Sequence, residues 1–120
     1  MTTDEVFRVH ARSLAEHGGS DGTRDAGLVE SALASAKNTF YYGDVDLFDI
    51  AASYAFHLAE SQAFIDGNKR TAVASALVFL AINGVYAQPP TWELYSAMID
   101  VAEKKKTKND LADIFRNAGQ

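Results

Sequence analysis

The chain has no cysteine among its 120 residues, which rules out disulfides and thiolate metal sites. Long apolar runs are missing as well. None comes near the ~20 residues that span a bilayer. The acidic opening Met1-Thr2-Thr3-Asp4-Glu5 lacks the charged-then-apolar layout of a secretion signal. Both absences suit a cytoplasmic protein without a membrane partner. Positive charge is in deficit: 11 lysines and arginines against 16 acids leave a formal net charge of −5. A broad DNA- or RNA-binding face needs basic excess and is therefore not expected; a local cradle for a single anion stays open. Repeats and low-complexity tracts are also absent. With 48% hydrophobic and 22% charged residues, the chain suits one soluble domain over residues 1–120 with a single core.

Helical spacing accounts for most of the sequence. A first helix opens with Thr2 as cap and Glu5 three residues on, a capping box, and stops at Gly18-Gly19. Val6, Val9 or His10, and Leu14 make its apolar face. His10 and His17 are read as solvated or rim histidines on this surface helix, since neither has a second ligand at metal spacing. Gly18 to Gly27 is read as an ordered loop of turn formers, in which Arg24 either has a functional role or, the favoured reading, braces the loop by a salt bridge. Asp25 caps a second helix from Gly27 to about Lys37. Asn38 to Val45 holds three adjacent aromatics and a glycine, and reads equally as a short extended flap or a loop burying its rings.

Asp46 caps a third helix through Glu60, with Leu47, Ile50, Ala51, Tyr54, Ala55 and Leu58 inward; His57 within it is read as structural. A helix from Asn68 or Thr71 to Asn83 is apolar nearly all round, the mark of a central, buried element. Gly84 stops it. Pro89-Pro90 precede a Thr91-capped helix whose Trp92, Tyr95, Met98, Ile99 and Ala102 are read as core. Lys104-Lys105-Lys106 belong to solvent near a helix end. A last helix covers about Lys108 to Asn117 with Leu111, Ile114 and Phe115 inward. The expected fold is all-α, a compact bundle of about six helices.

Between the third and fourth helices lies Gln62-Ala63-Phe64-Ile65-Asp66-Gly67-Asn68-Lys69-Arg70-Thr71. An acid, a glycine, an amide and two cations occupy positions 66 to 70. A loop feeding a helix N-terminus presents free backbone N–H groups and the positive end of the helix dipole to an anion. Gly67 lets the backbone approach a ligand closely, and Arg70 can fork onto phosphate oxygens. Asp66 is the kind of oxygen ligand that Mg²⁺ prefers when it also holds substrate phosphates. The stretch reads as a cradle for phosphate and Mg²⁺. A P-loop is excluded, because Gly67-Asn68-Lys69 lacks the upstream glycine and the adjoining Gly-Lys-Ser/Thr.

From Phe64 onward the same residues match the motif of the Fic/Doc family, H-x-F-x-(D/E)-G-N-(G/K)-R. Phe64, Asp66, Gly67, Asn68, Lys69 and Arg70 all fit it, followed by Thr71-Ala72. The chain thus resembles that family. Lys69, where AMP-transferring members carry glycine, places the resemblance in the short, Doc-like (death-on-curing) branch. The upstream Gly22-Thr23-Arg24-Asp25, Leu28 and Glu30-Ser31-Ala32-Leu33 point the same way. The resemblance implies a toxin of a toxin–antitoxin module that uses ATP and Mg²⁺ to modify a protein hydroxyl. In the Doc branch this is phosphoryl transfer onto elongation factor Tu, which stops translation. It also implies regulation in trans by a separate antitoxin, because the self-inhibitory (S/T)-x-x-x-E-(G/N) helix of some members has no counterpart here. Carried over residue by residue, Phe64 anchors the loop, Asp66 holds Mg²⁺, and Gly67 with the following N–H groups lines an anion nest. Lys69 and Arg70 neutralise phosphate charge. For Asn68 two roles stand side by side, a hydrogen bond to phosphate or a cap on the helix.

The family's histidine falls at position 62, which here is Gln62, and Ala63 stands where proline is common. Histidine serves as a general base because it titrates near neutrality. A glutamine amide forms hydrogen bonds but does not titrate, although it can orient a hydroxyl as glutamine orients water in some GTPases. Loss of a general base lowers rates by ~10²–10⁴. The expectation is a chain that binds nucleotide and transfers poorly. The alternative, from another class, is an inert Fic-fold binding module that occupies an antitoxin or target protein without chemistry.

Overall fold

The computed structural model describes residues 1–20, 22–42 and 45–118, without the side chains of 39–42 and 91. Six helices follow one another: α1 (Thr3–His17), α2 (Ala26–Tyr42), α3 (Leu47–Ser61), α4 (Asn68–Ile82), α5 (Thr91–Ala102) and α6 (Lys108–Ala118). Among the described residues no strand forms. Thr23 and Phe64 make a single isolated antiparallel bridge. The all-α expectation holds, helix by helix.

Local chemistry starts most of these helices. Thr2 accepts from the Glu5 N–H and the Glu5 carboxylate accepts from the Thr2 N–H, a complete capping box. Asp46 and Asp49 do the same for α3. Thr107 and Asp110 repeat the exchange ahead of α6, and Asp25 Oδ1 accepts from the Gly27 N–H at the start of α2. The middle of α3 is buried on nearly every side, from Ile50 to Ala55 and at Leu58. It packs most extensively against α4, α2 and α6, and α4 packs in turn on α1. Val6, Val29, Leu33, Tyr54, Phe64, Leu80, Leu111 and Phe115 are among the side chains that fill the space between them. None of the described helices is long and apolar enough to cross a membrane.

Several expectations are corrected. α2 continues through Tyr42, because no glycine or proline interrupts it before Gly43. The extended flap is therefore not formed over 38–42, and the aromatic side chains of 40–42 lie outside the described residues. Helix α4 is less enclosed than its composition suggests: Thr71, Ala72, Val73, Ser75, Ala76 and Leu80 are buried, but Val78 and Ile82 near its end face solvent, Ile82 at 62% exposure. On α5 the buried face is Leu94, Ala97, Met98 and Val101, while Trp92 is 74% exposed and Ile99 also lies outside. The N-cap of α5 is Pro90 and no side chain caps it, so Thr91 is its first helical residue. Arg24 forms no salt bridge among the described residues. It acts through its backbone, whose N–H donates to the Ala63 carbonyl at 2.7 Å.

Candidate active site

The stretch between α3 and α4 is held on three sides. From behind, Phe64 is 2% exposed and meets Phe7 edge-on, with ring centroids 5.7 Å apart. This is the anchoring role expected of it. From within, the Asn68 side chain pairs with the backbone of Phe64 in both directions. Its Oδ1 accepts from the Phe64 N–H at 3.1 Å and its Nδ2 donates to the Phe64 carbonyl at 2.9 Å. From the side, the α1–α2 loop runs antiparallel to it: the Ile65 N–H reaches the Gly22 carbonyl, and Arg24 and Asp25 both donate to Ala63. Asn68 thus shapes the loop. It is the first residue of α4, not its cap, and the cap position belongs to Gly67.

Gly67 sits at φ 78°, ψ 20°, the left-handed region where glycine is at ease. It has no side chain to bond the N–H groups behind it, so α4 begins uncapped. Its Thr71 N–H closes the first turn on the Gly67 carbonyl at 2.9 Å. The N–H groups of Asn68, Lys69 and Arg70 are those that a helix leaves without intrahelical partners. No acidic residue stands in the first turn, and Lys69 and Arg70 occupy it instead. Cations there oppose the dipole unless an anion joins them.

Asp66 lies one residue before that opening, exposed. Its Oδ2 accepts from the Ser20 N–H at 3.2 Å and its Oδ1 from the Gly67 N–H at 2.8 Å. These two bonds, Ser20 first, hold its carboxyl below the usual range with help from Arg70 and His10. It is ionised at neutral pH. The α1–α2 loop comes so close that a Cβ on Gly19 would sit 2.8 Å from Asp66 Oδ2. Arg70 donates from Nη2 to the Gly18 carbonyl at 3.2 Å. Among the described residues no three His, Asp or Glu side chains gather as a metal cage. A lone ionised carboxylate beside an anion nest nevertheless fits Mg²⁺, which keeps waters and substrate phosphates in its shell and takes few protein ligands.

Two concavities flank the opening. On one side a groove of about 850 Å³ runs between α1, α4 and α5, lined by Val9, Val73, Leu77, Leu94 and Tyr95 and by Arg8, Arg12, Arg70 and Glu16, the last paired with Arg12. On the other, a pocket of about 280 Å³ is lined by Gln62, Lys69, Phe56, Met98, Val101 and Lys104. Lys69 and Arg70 therefore diverge, one to each side. Gln62 caps α3 at φ 48°, ψ 43°, a left-handed conformation uncommon for a side-chain-bearing residue. It is exposed, and its amide has no hydrogen-bond partner among the described residues.

His10 is the residue that sequence reasoning misplaced. It is 4% exposed, not on the rim. Its ring stacks on Phe64 with centroids 3.8 Å apart, and its Nε2 lies 2.9 Å from the Asp66 carbonyl oxygen. His17 remains on the surface as expected. His57 is half-buried in α3, and burial first, then Lys108, pushes its pKa down. Its Nε2 lies 3.5 Å from Lys108 Nζ, and it lines neither concavity. The other residues missed are Gly18, Gly19 and Ser20. A doubled glycine where one ends a helix was their only local signal, since a second glycine marks close approach of another group.

Among the described residues, six helices and no strand set an ionised acid and two cations around an uncapped helix start, an arrangement with the chemistry to attract an anion. A sequence profile of the Fic/DOC family matches residues 1–80, and the chain belongs to that family. It is 31% identical over 117 residues to a protein named Protein kinase doc from Escherichia phage P1, covering 97% of this chain and 92% of that one. It is also 47% identical over 70 residues to a protein named Toxin Doc from Mycolicibacterium smegmatis, covering 57% of this chain and 54% of that one.

Proposed function

We propose that this chain is a Doc-like toxin whose site receives Mg²⁺–ATP for transfer of a phosphoryl (or AMP) group to a protein hydroxyl, and that Gln62 leaves the transfer weak. The single observation that carries this reading is the uncapped start of α4, with Lys69 and Arg70 in its first turn and ionised Asp66 immediately before it. The N–H groups of Asn68, Lys69 and Arg70 would take up phosphate oxygens, and the two cations would neutralise charge as the phosphoryl group moves. When bound through Asp66, Mg²⁺ would offset the remaining phosphate charge. The pocket of about 280 Å³ beside Lys69 falls just below the ~300 Å³ where pockets for drug-sized ligands begin. That size suits a single ring system such as a nucleobase. Gln62, which lines the same pocket, would orient an attacking hydroxyl by hydrogen bonding and leave its proton in place.

Names of the relatives support the toxin and kinase parts of this reading. The family resemblance supports elongation factor Tu as the target and translation as the process stopped. The groove between α1, α4 and α5, lined by apolar side chains and three arginines, suits an acidic, amphipathic segment of a separate antitoxin. A cytoplasmic setting follows from such partners.

The test is transfer of label from γ- and α-labelled ATP to lysate protein, comparing the chain with its Gln62→His variant. Gln62→His should label its target ~10²–10⁴ faster, and γ-label should move in preference to α-label. A second reading, an inert binding module, is favoured by the non-titrating Gln62. It would be upheld by absence of both labelling and Mg²⁺–ATP binding in the two forms.

A further inference from the structure

The Asp66–Gly67 peptide decides where the acid and the nest point, and it is gripped at both ends. Its carbonyl faces His10 Nε2 at 2.9 Å, and its N–H turns back onto Asp66 Oδ1 at 2.8 Å. A peptide group is planar, so fixing the carbonyl direction fixes the N–H on its opposite side. A carbonyl oxygen only accepts, so Nε2 carries the hydrogen in this contact. The His10 ring is in turn held flat against Phe64, 12° from parallel. Ring orientation and hydrogen-bond direction are thereby set together, from an α1 residue far from the loop in sequence.

We infer that His10 is a positioning residue for the loop: its Nε2–H orients the Asp66–Gly67 peptide, and so the carboxylate and the N–H nest, before any ligand arrives. Burial alone does not explain the side chain at this position. An apolar ring could stack on Phe64 with no need of a hydrogen-bond partner, whereas His10 brings a donor aimed at the loop backbone. The effect on nucleotide affinity rests on the proposed function; the ordering of the loop does not.

Two substitutions separate ring from donor. His10→Phe keeps the stack and removes the N–H. His10→Gln removes the ring and keeps an N–H the same number of bonds from Cα. The readout is amide hydrogen exchange at Phe64, Ile65 and Gly67, each hydrogen-bonded in the loop, with Mg²⁺–ATP affinity by calorimetry and the melting midpoint alongside. His10→Phe should fold, lose about fivefold to tenfold in protection at these amides, and weaken Mg²⁺–ATP by a similar factor. His10→Gln should recover most of both. Parent-level protection in a folded His10→Phe protein would overturn the inference, because ring volume would then be sufficient. A folded His10→Gln protein as unprotected as His10→Phe would overturn it too. Should neither variant fold, ¹⁵N spectra of the parent imidazole decide: the Nε2–H tautomer upholds the contact, and Nδ1–H refutes it. If the parent ignores Mg²⁺–ATP while protection falls in His10→Phe and returns in His10→Gln, positioning stands and the nucleotide reading fails.

Discussion

Helices α3 and α4 pack against each other and share the motif loop, yet they begin in opposite ways. The start of α3 is closed. Asp46 and Asp49 cap it reciprocally, and Arg116 from α6 forks onto Asp46 at 2.9 Å and reaches Asp49 at 3.4 Å. Acids stand where the helix dipole favours them, and a cation from elsewhere balances them. The start of α4 is open: glycine in place of a capping side chain, no acid in the first turn, and two cations where the dipole disfavours them. One start is composed for stability. The other forgoes that local stabilisation and leaves two cations beside an uncapped helix start, the feature on which the proposed anion site rests.

Breaking the open start should have the largest effect. An Asp66→Ala, Arg70→Ala double variant should lose Mg²⁺–ATP binding by at least about a hundredfold, the value of two or more charge-assisted hydrogen bonds. Its melting midpoint should fall only modestly, because the bonds lost to Ser20, Gly67 and Gly18 are all exposed ones. Calorimetric titration checks this, and equal disregard of Mg²⁺–ATP by parent and variant would refute the cradle.

Breaking the closed start should act on stability instead. Asp46→Ala should lower it by about 1–2 kcal/mol through the lost cap. Burial works to raise the Asp46 pKa, but the Asp49 N–H and Arg116 outweigh it and hold the carboxyl low. With a folded-state pKa below the unfolded one, its contribution is complete above about pH 4 and is lost as pH falls through the depressed value. Asp46→Asn keeps the capping oxygen and should flatten that acid limb; urea midpoints taken between neutral pH and pH 2 would show it.

The smallest effect sharpens the contrast by making α4 resemble α3. Lys69→Glu puts an acid in the first turn and should raise stability by about 0.3–1 kcal/mol at low ionic strength, less in high salt. The same change should weaken Mg²⁺–ATP. Urea midpoints at two salt concentrations and one titration suffice. Stability and affinity falling together would show that Lys69 serves the fold.

The features legible in the sequence are those whose cause is local. Thr2, Asp25 and Asp46 announce helix starts because a cap bonds within three residues. Phe64 through Arg70 announces the site because loop, glycine and first-turn cations are contiguous. His10 was unreadable for the opposite reason. A histidine among helix formers looks like a solvated one until Phe64 and the Asp66 carbonyl arrive from another part of the fold. Helix α5 misled because apolar residues lie on both of its faces. The bulky Trp92 and Ile99 drew the inward assignment, whereas the buried side includes the small Ala97. Likewise Asn68 offered two polar roles in sequence, and folding gave it a third, clasping the backbone of Phe64.

The left-handed backbone at Gln62 bears on how this protein can change over generations. Histidine is among the residues that adopt such a conformation more readily than most, so the scaffold would accept it without moving. In the genetic code, glutamine and histidine triplets differ only in their third base. A gene for this chain is one transversion away from placing an imidazole at the end of α3, so the general base whose loss is proposed above could be regained without rebuilding anything else.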